Sequence, residues 1–564
     1  MSTSHTPAPL LASLVIAFTV AAAPALTQTG PHLAAVHNSS QGWLPELTAT
    51  AIADGVTDFR EGMRWPEAEA AGIYHFSPPT ARYPDALLRL GAGLSLTLSG
   101  GHPDHDDGHT PHTPEGVAAL ARFAAEAVRR FSAIHSIEVG NEHNAQNFVT
   151  GPVKEAGIDA RAAYHMAILR ATHDAVKAQN PEIRILGGAA HSIAGRYLSD
   201  LFALGAADYM DALALHPYTT PVDLLMREIA WMRRIPGLSD MDIEVTEFGY
   251  AGESPAASDH FLRSYCAYAL SGVSRVAWYP LHPRGDGYAA LYSRQGIRTV
   301  VGDTYHLIRQ ELEGHPVRNA APDPFTHVCA FGPDDAPTHL VLWGAPRTLE
   351  VAPQILVRDA TGAVVQAAEI AAEAPLILTA QDGGPVRLGH EVQLVAQRRL
   401  ADSFLQFGLP EGQSAYAEGD PFARFVRVGD AELPLLTRLG QDRGGVPWRP
   451  YRALAEGPLP RLTEDVLIPA TSGRGPMEIV HRYTAPAEIS AMLDVRLAPP
   501  ERSEDGVIVR ITVAGAPLME RVLTDPLHVR LPVELAEGDR VEVAVGPGDT
   551  AHGDVVAYRI LLEN

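Results

Sequence analysis

The feature that most constrains the fold is an eightfold alternation of short apolar runs with segments of helical periodicity, over about residues 30–318. The apolar runs are Leu33–His37, Val56–Arg60, Leu94–Ser99, Ile137–Glu142, Ile183–Gly188, Asp211–His216, Asp242–Glu247 and Arg275–Pro280. Segments with a 3.6-residue period, such as Thr113–Phe131 and Ala160–Asn180, lie between them. Eight strand–helix units predict a (β/α)8 barrel. An open doubly wound sheet is the alternative, but such sheets rarely reach eight units without a nucleotide-binding glycine loop, and the segment contains none.

The sequence changes character after residue 318. Long helical periodicity gives way to short alternating strands separated by Gly, Pro, Asp and Asn. Two blocks can be distinguished, with runs such as His339–Trp343 in residues 319–400 and Val507–Val513 in residues 401–564. Both blocks are predicted to be all-β sandwiches, the first packed on the barrel and the second resembling a carbohydrate-binding module. Trp448, Tyr451 and Tyr483 are the candidates for a sugar-binding platform in that second block, although each is as easily part of its core.

The first 25 residues have the pattern of an export signal. The run Leu10–Val20 is apolar, and Ala23-Pro24-Ala25 offers the small residues that a signal peptidase prefers. Residues 1–25 are therefore predicted to be a signal peptide and the protein to be secreted or periplasmic, with a buried first helix or strand as the alternative. No segment has the length of a membrane span. The two cysteines do not decide the compartment, because Cys266 lies in a helical pattern typical of a small core residue.

The charge of the chain excludes some classes of partner. The 564 residues carry a formal net charge of -23, and the acidic residues are spread along the chain. A surface of this sign repels nucleic acid and anionic membranes, so neither is expected as the main partner.

Two glutamates and one arginine stand where a barrel places its chemistry, at the carboxyl ends of strands. One apolar run ends in Asn141-Glu142, another ends in Glu247, and a third ends in Arg60. Cleavage of a glycosidic bond needs two carboxyl groups that flank the bond. A nearby arginine would keep one carboxyl ionised, while the other would stay protonated in drier surroundings. Each glutamate alone is more typical of a solvated surface, and it is the combination that indicates catalysis.

The sequence around these glutamates resembles a known group of enzymes. The stretch I-E-V-G-N-E-H-N at Ile137–Asn144 resembles the fourth-strand Asn-Glu signature of the clan A glycoside hydrolases. The stretch I-E-V-T-E-F-G-Y at Ile243–Tyr250 is similar to their seventh-strand nucleophile motif. Glycoside hydrolase family 39 and its exopolysaccharide-cleaving relatives fit best. Further matches are the segment Gly55–Phe76, His216-Pro217-Tyr218 and Trp278-Tyr279. The resemblance covers the barrel, and it departs from the pattern at Gly140 and His143, where the group usually has Trp and Pro.

The resemblance implies a role for each matching residue. Glu142 would be the acid/base and Glu247 the nucleophile of a retaining hydrolase that cleaves an extracellular or capsular polysaccharide. The implied substrate-binding residues are Asn141, Arg60, His216, Tyr218 and Trp278. In this scheme Asn141 binds the sugar 2-hydroxyl, Arg60, His216 and Tyr218 orient the nucleophile, and Trp278 forms an apolar platform under the sugar. His37, after the first strand, is a further candidate for contact with sugar. Neither a metal nor a cofactor is implied.

Two other functions remain open from the residues alone. A barrel can be kept as the scaffold of a polysaccharide-binding protein without catalysis. The loop Gly101–His112 contains four His and three Asp, so a metal-dependent hydrolase is also possible. No ligand spacing in this loop matches a known motif, and a solvated or sugar-contacting loop is the simpler interpretation.

Two neighbouring glutamates are expected to be structural. Glu138 lies two strand periods before Glu142 and is predicted to form a buried ion pair near the barrel floor. Glu244 has the opposite parity to Glu247 and is predicted to face the helices.

Overall fold

The computed structural model describes residues 28–498, 500 and 502–564. The predicted signal peptide lies outside the described residues. The first part of the chain forms a closed barrel of eight parallel strands, in which each strand pairs with its neighbours in the chain and the last pairs with the first. The strands are β1 His32–Val36, β2 Asp58–Gly62, β3 Gly93–Leu98, β4 Ile134–Val139, β5 Arg184–His191, β6 Ala212–His216, β7 Asp242–Phe248 and β8 Arg275–Trp278. The predicted (β/α)8 barrel is confirmed.

Eight helices surround the barrel, one after each strand. They are α1 Pro45–Ala53, α2 Pro79–Arg89, α3 Pro114–Arg130, α4 Arg161–Gln179, α5 Gly195–Ala203, α6 Leu225–Met232, α7 Ala256–Leu270 and α8 Val300–Glu311. Their starts follow local chemistry, as α3 shows: the Thr113 hydroxyl accepts a hydrogen bond from the Gly116 amide, and Pro114 occupies the first helical position. Short elements in the loops are helical turns at Ser39–Gln41, Trp65–Ala68, Asp106–Gly108, Gly151–Glu155, Ile158–Ala160, Ala206–Tyr209 and Val222–Leu224, and a hairpin of Glu69–Ala70 with Ile73–Tyr74.

A bulge in β7 decides which of its side chains face the barrel interior. Val276 of β8 pairs with Val245 of β7, but Trp278 pairs with Phe248, so β7 has one more residue than β8 over this interval. An extra residue breaks the alternation of side chains, and both Thr246 and Glu247 therefore point inward.

The same bulge overturns the prediction for Glu244. Its side chain faces the barrel interior and not the helices, with Arg184 at 3.0 Å and Arg275 at 3.5 Å. The prediction was wrong because it assumed that side chains alternate without interruption between Glu244 and Glu247. The bulge adds one residue between them, and one extra residue reverses the face to which the earlier side chains point.

The second domain is a small antiparallel sandwich, as predicted. One sheet contains Val317–Asn319, Thr326–Phe331, His339–Gly344, Leu376–Ala380 and Ile355–Arg358, and the other contains Glu369–Ile370, Arg347–Val351 and Val392–Leu394. A disulfide between Cys266 of α7 and Cys329 joins this domain to the barrel, with the two Cα atoms 6.1 Å apart. The interpretation of Cys266 as an unpaired core residue was wrong, since its partner lies in another domain and sequence spacing does not reveal that contact.

The third domain is a larger antiparallel sandwich, again as predicted. Its eight-stranded sheet contains Arg399–Asp402, Leu436–Arg438, Tyr451–Ala453, Arg461–Leu462, Val466–Ile468, Ile489–Leu497, Leu527–Leu535 and Val556–Glu563. Its seven-stranded sheet contains Phe422–Val428, Ala431–Pro434, Ala470–Ser472, Gly475–Thr484, Val507–Val513, Ala516–Leu523 and Arg540–Pro547. Tyr451 and Tyr483 are buried and are not an exposed platform. Among the described residues, no helix combines the length and apolar character needed to cross a membrane.

Candidate active site

A cavity of about 420 Å³ opens at the carboxyl ends of the barrel strands. Its lining includes most of the residues that the sequence singled out, namely His37, Arg60, Asn141, Glu142, Tyr218 and Glu247. It also includes His191, Arg284 and Tyr288, which the sequence did not single out, and Tyr279, to which the sequence gave no role. A larger cavity of about 580 Å³ lies between α6 and the third domain, away from the strand ends. The smaller cavity is the candidate active site because it contains the facing carboxylates.

Glu142 and Glu247 face each other across this cavity. A carboxylate oxygen of each lies within 4.8 Å of the other and of a ring nitrogen of His216. Glu142 reaches this position through a turn after β4 in which both Gly140 and Glu142 have positive φ, 83° and 48°. A positive φ is unfavourable for a residue with a side chain and recurs at functional sites, where the surrounding structure imposes it.

Gly140 and His143, the two positions where the sequence departs from the pattern it resembles, lie close to each other. A Cβ atom at position 140 would lie 3.0 Å from the imidazole of His143, so the ring packs where a larger residue 140 would stand. The His143 ring is buried, and its Nδ1 lies 3.1 Å from Nδ1 of His165. A side chain larger than glycine at position 140 would therefore compete with the His143 ring for the same space.

Arg60 organises the floor of the cavity. Its Nε and Nη2 donate to the two oxygens of Glu138, at 2.6 and 3.0 Å. Its Nη1 donates to Oε1 of Glu247 at 2.9 Å, and Nη2 also donates to Oδ1 of Asn141 at 2.7 Å. Burial raises the pKa of Glu138, but the Arg60 charge and the hydrogen bonds outweigh it and hold that pKa well below its usual value. The predicted buried ion pair of Glu138 is confirmed, but it lies directly beneath Glu142 and Glu247 and not near the barrel floor.

His216 lies at the centre of three carboxylates. Its Nδ1 is 2.9 Å from Oε1 of Glu142 and 3.5 Å from Oε2 of Glu247, while its Nε2 is 3.3 Å from Oε1 of Glu138. Burial lowers the pKa of His216, but the Glu247 charge and the hydrogen bonds to Glu138 and Glu142 outweigh it and raise the pKa to about 9. His216 is therefore an imidazolium at neutral pH.

The protonation of Glu142 differs from the sequence-based expectation. Burial raises its pKa, but hydrogen bonds from His191 and His216 to Oε1 outweigh that effect and lower the pKa to about 2. The expectation of a protonated carboxyl is therefore not met by Glu142 in the free site, because two imidazoles bind its Oε1.

Trp278 does not form the predicted sugar platform. Its side chain is fully buried on the outer face of β8, where the indole stacks on Phe261 of α7 with the ring centroids 4.3 Å apart. Its Nε1 donates to the carbonyl of Ala289 at 2.9 Å. The next residue, Tyr279, lines the cavity and packs edge-to-face on Tyr288. The prediction was wrong by one residue, and one residue exchanges the two faces of a strand.

Tyr218 and His37 both border the cavity, in different ways. Burial and the charge of Glu247 raise the pKa of Tyr218 well above its usual value, so the phenol stays protonated beside Glu247. The ring of His37 is buried, and its two nitrogens lie 2.7 Å from the Thr48 hydroxyl and 2.6 Å from the Ser39 hydroxyl. His37 therefore shapes the wall but has no free ring nitrogen for a sugar.

The residues that sequence reasoning missed lie at the strand ends or in the loops that follow them. Tyr279 was within a quoted motif and was passed over for its neighbour, whereas His191, Arg284 and Tyr288 carry no periodic signal. Glu61 follows Arg60 directly and lines the cavity. Burial raises the pKa of Glu61 to about 7, and its oxygens accept hydrogen bonds from the Ser39 amide and the Ser40 hydroxyl.

The His-rich loop does not gather a metal site. Within the described part of the chain, the one group of three or more side chains with ligand atoms close enough for a metal is Glu142, His216 and Glu247. Arg60 donates to that same Glu247, which disfavours a cation there. In the loop, Asp106 accepts hydrogen bonds from the backbone and hydroxyl of Thr113, and His105 stacks on Trp65.

Comparisons with known proteins agree with this architecture. No protein-family model and no curated protein sequence matches the chain. A family 39 glycoside hydrolase from the gut symbiont Bacteroides cellulosilyticus WH2 is similar in structure, with a TM-score of 0.51 and 18% identity over 63% of this chain and 81% of that one. A GH39 β-xylosidase from Caulobacter crescentus has a TM-score of 0.46 and 14% identity over 63% and 98%. A GH39 enzyme from Xanthomonas axonopodis pv. citri covers 92% of this chain and 96% of its own, with a TM-score of 0.42 and 12% identity. The chain thus shares its fold with the family 39 enzyme from Bacteroides cellulosilyticus, and the predicted resemblance to family 39 is confirmed at the level of the fold.

Proposed function

We propose that this protein is a retaining glycoside hydrolase that cleaves an extracellular or capsular polysaccharide by double displacement. The observation that carries the proposal is the approach of Glu142 and Glu247 to within 4.8 Å across an open cavity. Retaining enzymes have carboxyl groups about 5–5.5 Å apart, whereas inverting enzymes need about 6.5–9.5 Å to admit a water between them. The short separation therefore favours attack by a carboxylate over attack by water.

The proposed reaction has two balanced steps. In the first, an oxygen of Glu247 bonds to the anomeric carbon, the glycosidic C–O bond breaks, and Glu142 gives a proton to the leaving oxygen. In the second, the Glu142 carboxylate takes a proton from a water whose oxygen bonds to the anomeric carbon and releases Glu247. One water is consumed, and both glutamates return to their starting state.

The residues around the pair fit these steps. Arg60 donates to Oε1 of Glu247 and so holds the proposed nucleophile in position. Both imidazoles bind Oε1 of Glu142, which leaves Oε2 to face the leaving oxygen. His216 stores the proton in the free site, and exclusion of water by a bound sugar would raise the pKa of Glu142 and favour transfer of that proton. Asn141 accepts from Arg60 through its oxygen, so its amide NH2 is free to donate to a sugar hydroxyl.

The cavity wall supports a carbohydrate rather than a hydrophobic ligand. Tyr218, Tyr279 and Tyr288 offer aromatic rings with polar edges, which suit the C–H faces and hydroxyls of a sugar. The remaining lining is rich in hydrogen-bonding groups, including Asn38, Gln41 and Arg284.

Export from the cytoplasm is part of the proposal. The disulfide between Cys266 and Cys329 supports it, because disulfides persist in oxidising compartments and are rare in the cytosol. The leader pattern of residues 1–25 supports the same location. Cell fractionation with sequencing of the mature amino terminus tests it: processing near residue 25 is expected, and an unprocessed cytoplasmic protein would contradict it.

The decisive experiment measures both activity and stereochemistry. Bacterial and plant polysaccharides are screened for release of reducing ends, and the first product formed from the best substrate is followed by proton NMR. We expect the initial anomer to have the configuration of the substrate. The inverted anomer would contradict the mechanism, while binding without release of reducing ends would identify a non-catalytic polysaccharide-binding protein.

A further inference from the structure

A loop of the third domain is docked onto the active-site end of the barrel. The loop Leu439–Pro450 approaches the turn after β4, where Gln441 and Asn144 form two buried hydrogen bonds. Gln441 Nε2 donates to the Asn144 carbonyl at 2.6 Å, and Asn144 Nδ2 donates to Gln441 Oε1 at 2.9 Å. Gln441 has a positive φ of 52°, a conformation that a glutamine adopts only where its surroundings require it.

Charged contacts fix the base of this loop. Arg449 is buried and donates to Glu228 of α6 at 2.5 Å and to Glu464 of its own domain. The guanidinium thus ties the barrel and the third domain together at one point. An arginine shared between two buried carboxylates leaves the loop little freedom to move away, because either carboxylate would then lose its partner.

Two routes lead from the loop to Glu142 through His191. Along the backbone route, Asn144 accepts from the His191 amide at 3.0 Å and donates to the His191 carbonyl at 2.9 Å. Gln441 therefore fixes Asn144, and Asn144 in turn fixes His191 at the end of β5. Along the side-chain route, the indole of Trp448 packs edge-to-face on the His191 ring with the centroids 4.7 Å apart. Nδ1 of that ring lies 3.2 Å from Oε1 of Glu142.

We propose that the third domain is a structural part of the active site, and that Trp448 and Gln441 position the acid/base Glu142 by holding His191. The inference rests on the proposed function, in which Glu142 protonates the leaving oxygen. It differs from the interpretation of the third domain as a separate binding module, because Trp448, a candidate for the sugar platform, contacts a histidine of the barrel. Trp448 and Gln441 are positioning residues, since neither touches Glu142.

The physical consequence is a fixed direction for the Glu142 carboxyl. His216 is fully buried and holds Oε1 from below, while His191 is part-exposed at the cavity wall. Without Trp448, the His191 ring would be free to rotate, and Oε1 would keep only one of its two partners. Misplacement of a reacting group by about 1 Å can lower a rate by about 100-fold. The loss should appear only where the reaction depends on proton donation.

The test compares substrates that do and do not need that proton. Trp448→Ala, Trp448→Phe and Gln441→Ala are made in the full chain, with Arg234→Ala as the matched control. Arg234 forms an ion pair with Glu411 across the same domain boundary, at the larger cavity rather than at the active-site cavity. The value of kcat/KM is measured with phenyl and 2,4-dinitrophenyl glycosides of the sugar that the polysaccharide screen identifies. Phenolate needs protonation to leave, and dinitrophenolate does not.

The expected result is a selective loss. Trp448→Ala should lower kcat/KM for the phenyl glycoside by about 10–100-fold and leave the dinitrophenyl glycoside little changed. Trp448→Phe should recover most of the loss, because an aromatic ring still covers His191, and Arg234→Ala should match the wild type on both substrates. Equal losses on the two glycosides, or no loss on either, would overturn the inference. Gln441→Ala provides the same test through the backbone route if Trp448→Ala does not fold.

A second readout separates this inference from the proposed function. A wild-type protein that cleaves no glycoside or polysaccharide would contradict the proposed function. The ring nitrogens of ¹⁵N-labelled histidines then test the positioning directly. We expect the His191 resonances to shift in Trp448→Ala and to stay in place in Arg234→Ala. Unchanged His191 resonances in Trp448→Ala would overturn the positioning role whatever the activity.

Discussion

The two ends of the barrel interior contain similar charged clusters that differ in their surroundings. At the carboxyl ends, Arg60 contacts Glu138 and Glu247, with His216 between the carboxylates. At the amino ends, Arg275 donates to Asp58 at 2.7 Å and lies 3.5 Å from Glu244.

The histidines and the access of solvent distinguish these clusters. At the amino ends, Asp58 is also approached by His32 and His135, at 3.2 and 2.9 Å, so each of its oxygens has a partner within the protein. At the carboxyl ends, Glu247 borders an open cavity and faces a second carboxylate. Buried ion pairs alone therefore do not indicate catalysis. Catalysis is indicated only where two carboxylates face each other, are held by such ion pairs and border a cavity that a ligand can enter.

The largest expected effect distinguishes the glutamates of β7. Glu247→Ala should lower kcat by about 10⁴-fold or more, because in the proposed mechanism it removes the atom that forms the covalent intermediate. Glu244→Gln, in the lower cluster, should leave kcat within a few-fold and lower the free energy of unfolding by about 1–3 kcal/mol. Initial rates per folded molecule and urea unfolding measure the two. Wild-type turnover in Glu247→Ala would refute the assignment of the nucleophile.

Glu142, the proposed acid/base, is expected to give the next largest effect. Glu142→Ala should lose most activity on substrates with poor leaving groups, and azide should restore turnover by attacking the glycosyl-enzyme in place of water. The product should be a glycosyl azide with the configuration of the substrate, identified by NMR. Azide should not restore Glu247→Ala in the same way, so identical behaviour of the two variants would remove the distinction between their roles.

The two arginines test the comparison of the clusters most directly. Arg60→Met should lower kcat by about 100–1000-fold, since it removes a charged donor to the nucleophile. Arg275→Met should lower the free energy of unfolding by about 3–5 kcal/mol, because it leaves buried carboxylates without a cation, and should spare kcat. Kinetics and denaturation of both proteins decide the matter. A catalytic defect in Arg275→Met comparable to that of Arg60→Met would break the comparison.

The histidines of the two clusters predict how stability depends on pH. The pKa of His216 is raised to about 9 in the folded protein, against about 6.5 in an unfolded chain, so its stabilising effect is complete below pH 6.5 and is lost as the pH rises towards 9. Hydrogen bonds to Asp58 and Glu313 raise the pKa of His32 to about 9 as well, but its side chain is 47% exposed and solvent screens the charge. The free energy of unfolding, measured from pH 6 to 9.5, should lose more of its pH dependence in His216→Gln than in His32→Gln. A larger loss of pH dependence in His32→Gln would contradict the conclusion that His216 is the more buried of the two histidines.

The smallest expected effect concerns two neighbours on the opposite faces of β8. Tyr279→Ala should raise KM by about 2–10-fold, because the ring lines the cavity and contributes about 0.5–1.5 kcal/mol of contact with a sugar. Trp278→Phe should leave KM unchanged and lower the melting temperature, since the indole packs between the barrel and α7. A rise in KM for Trp278→Phe but not for Tyr279→Ala would support Trp278 as the residue that contacts the sugar.

Much of the fold could be predicted from local patterns. The eight apolar runs coincide with the eight strands to within a few residues, because alternation of apolar strands and amphipathic helices is a property of the chain itself. The strand-end positions of Arg60, Asn141, Glu142 and Glu247 followed from that pattern, since parallel strands in a barrel end on one face. The sequence alone was therefore enough to predict that Glu142 and Glu247 form a pair.

What the sequence did not determine depends on contacts between distant residues. The orientation of Glu244 and Trp278 required knowledge of strand register, and a bulge in β7 has no signature in residue type. The disulfide between Cys266 and Cys329, and the low pKa of Glu142, depend on partners 63 and at least 49 residues away. The sequence by itself determined which residues end the strands. Only the tertiary structure decided their register, their protonation and the docking of Trp448 against His191, because each of these depends on distances between elements that local propensity does not encode.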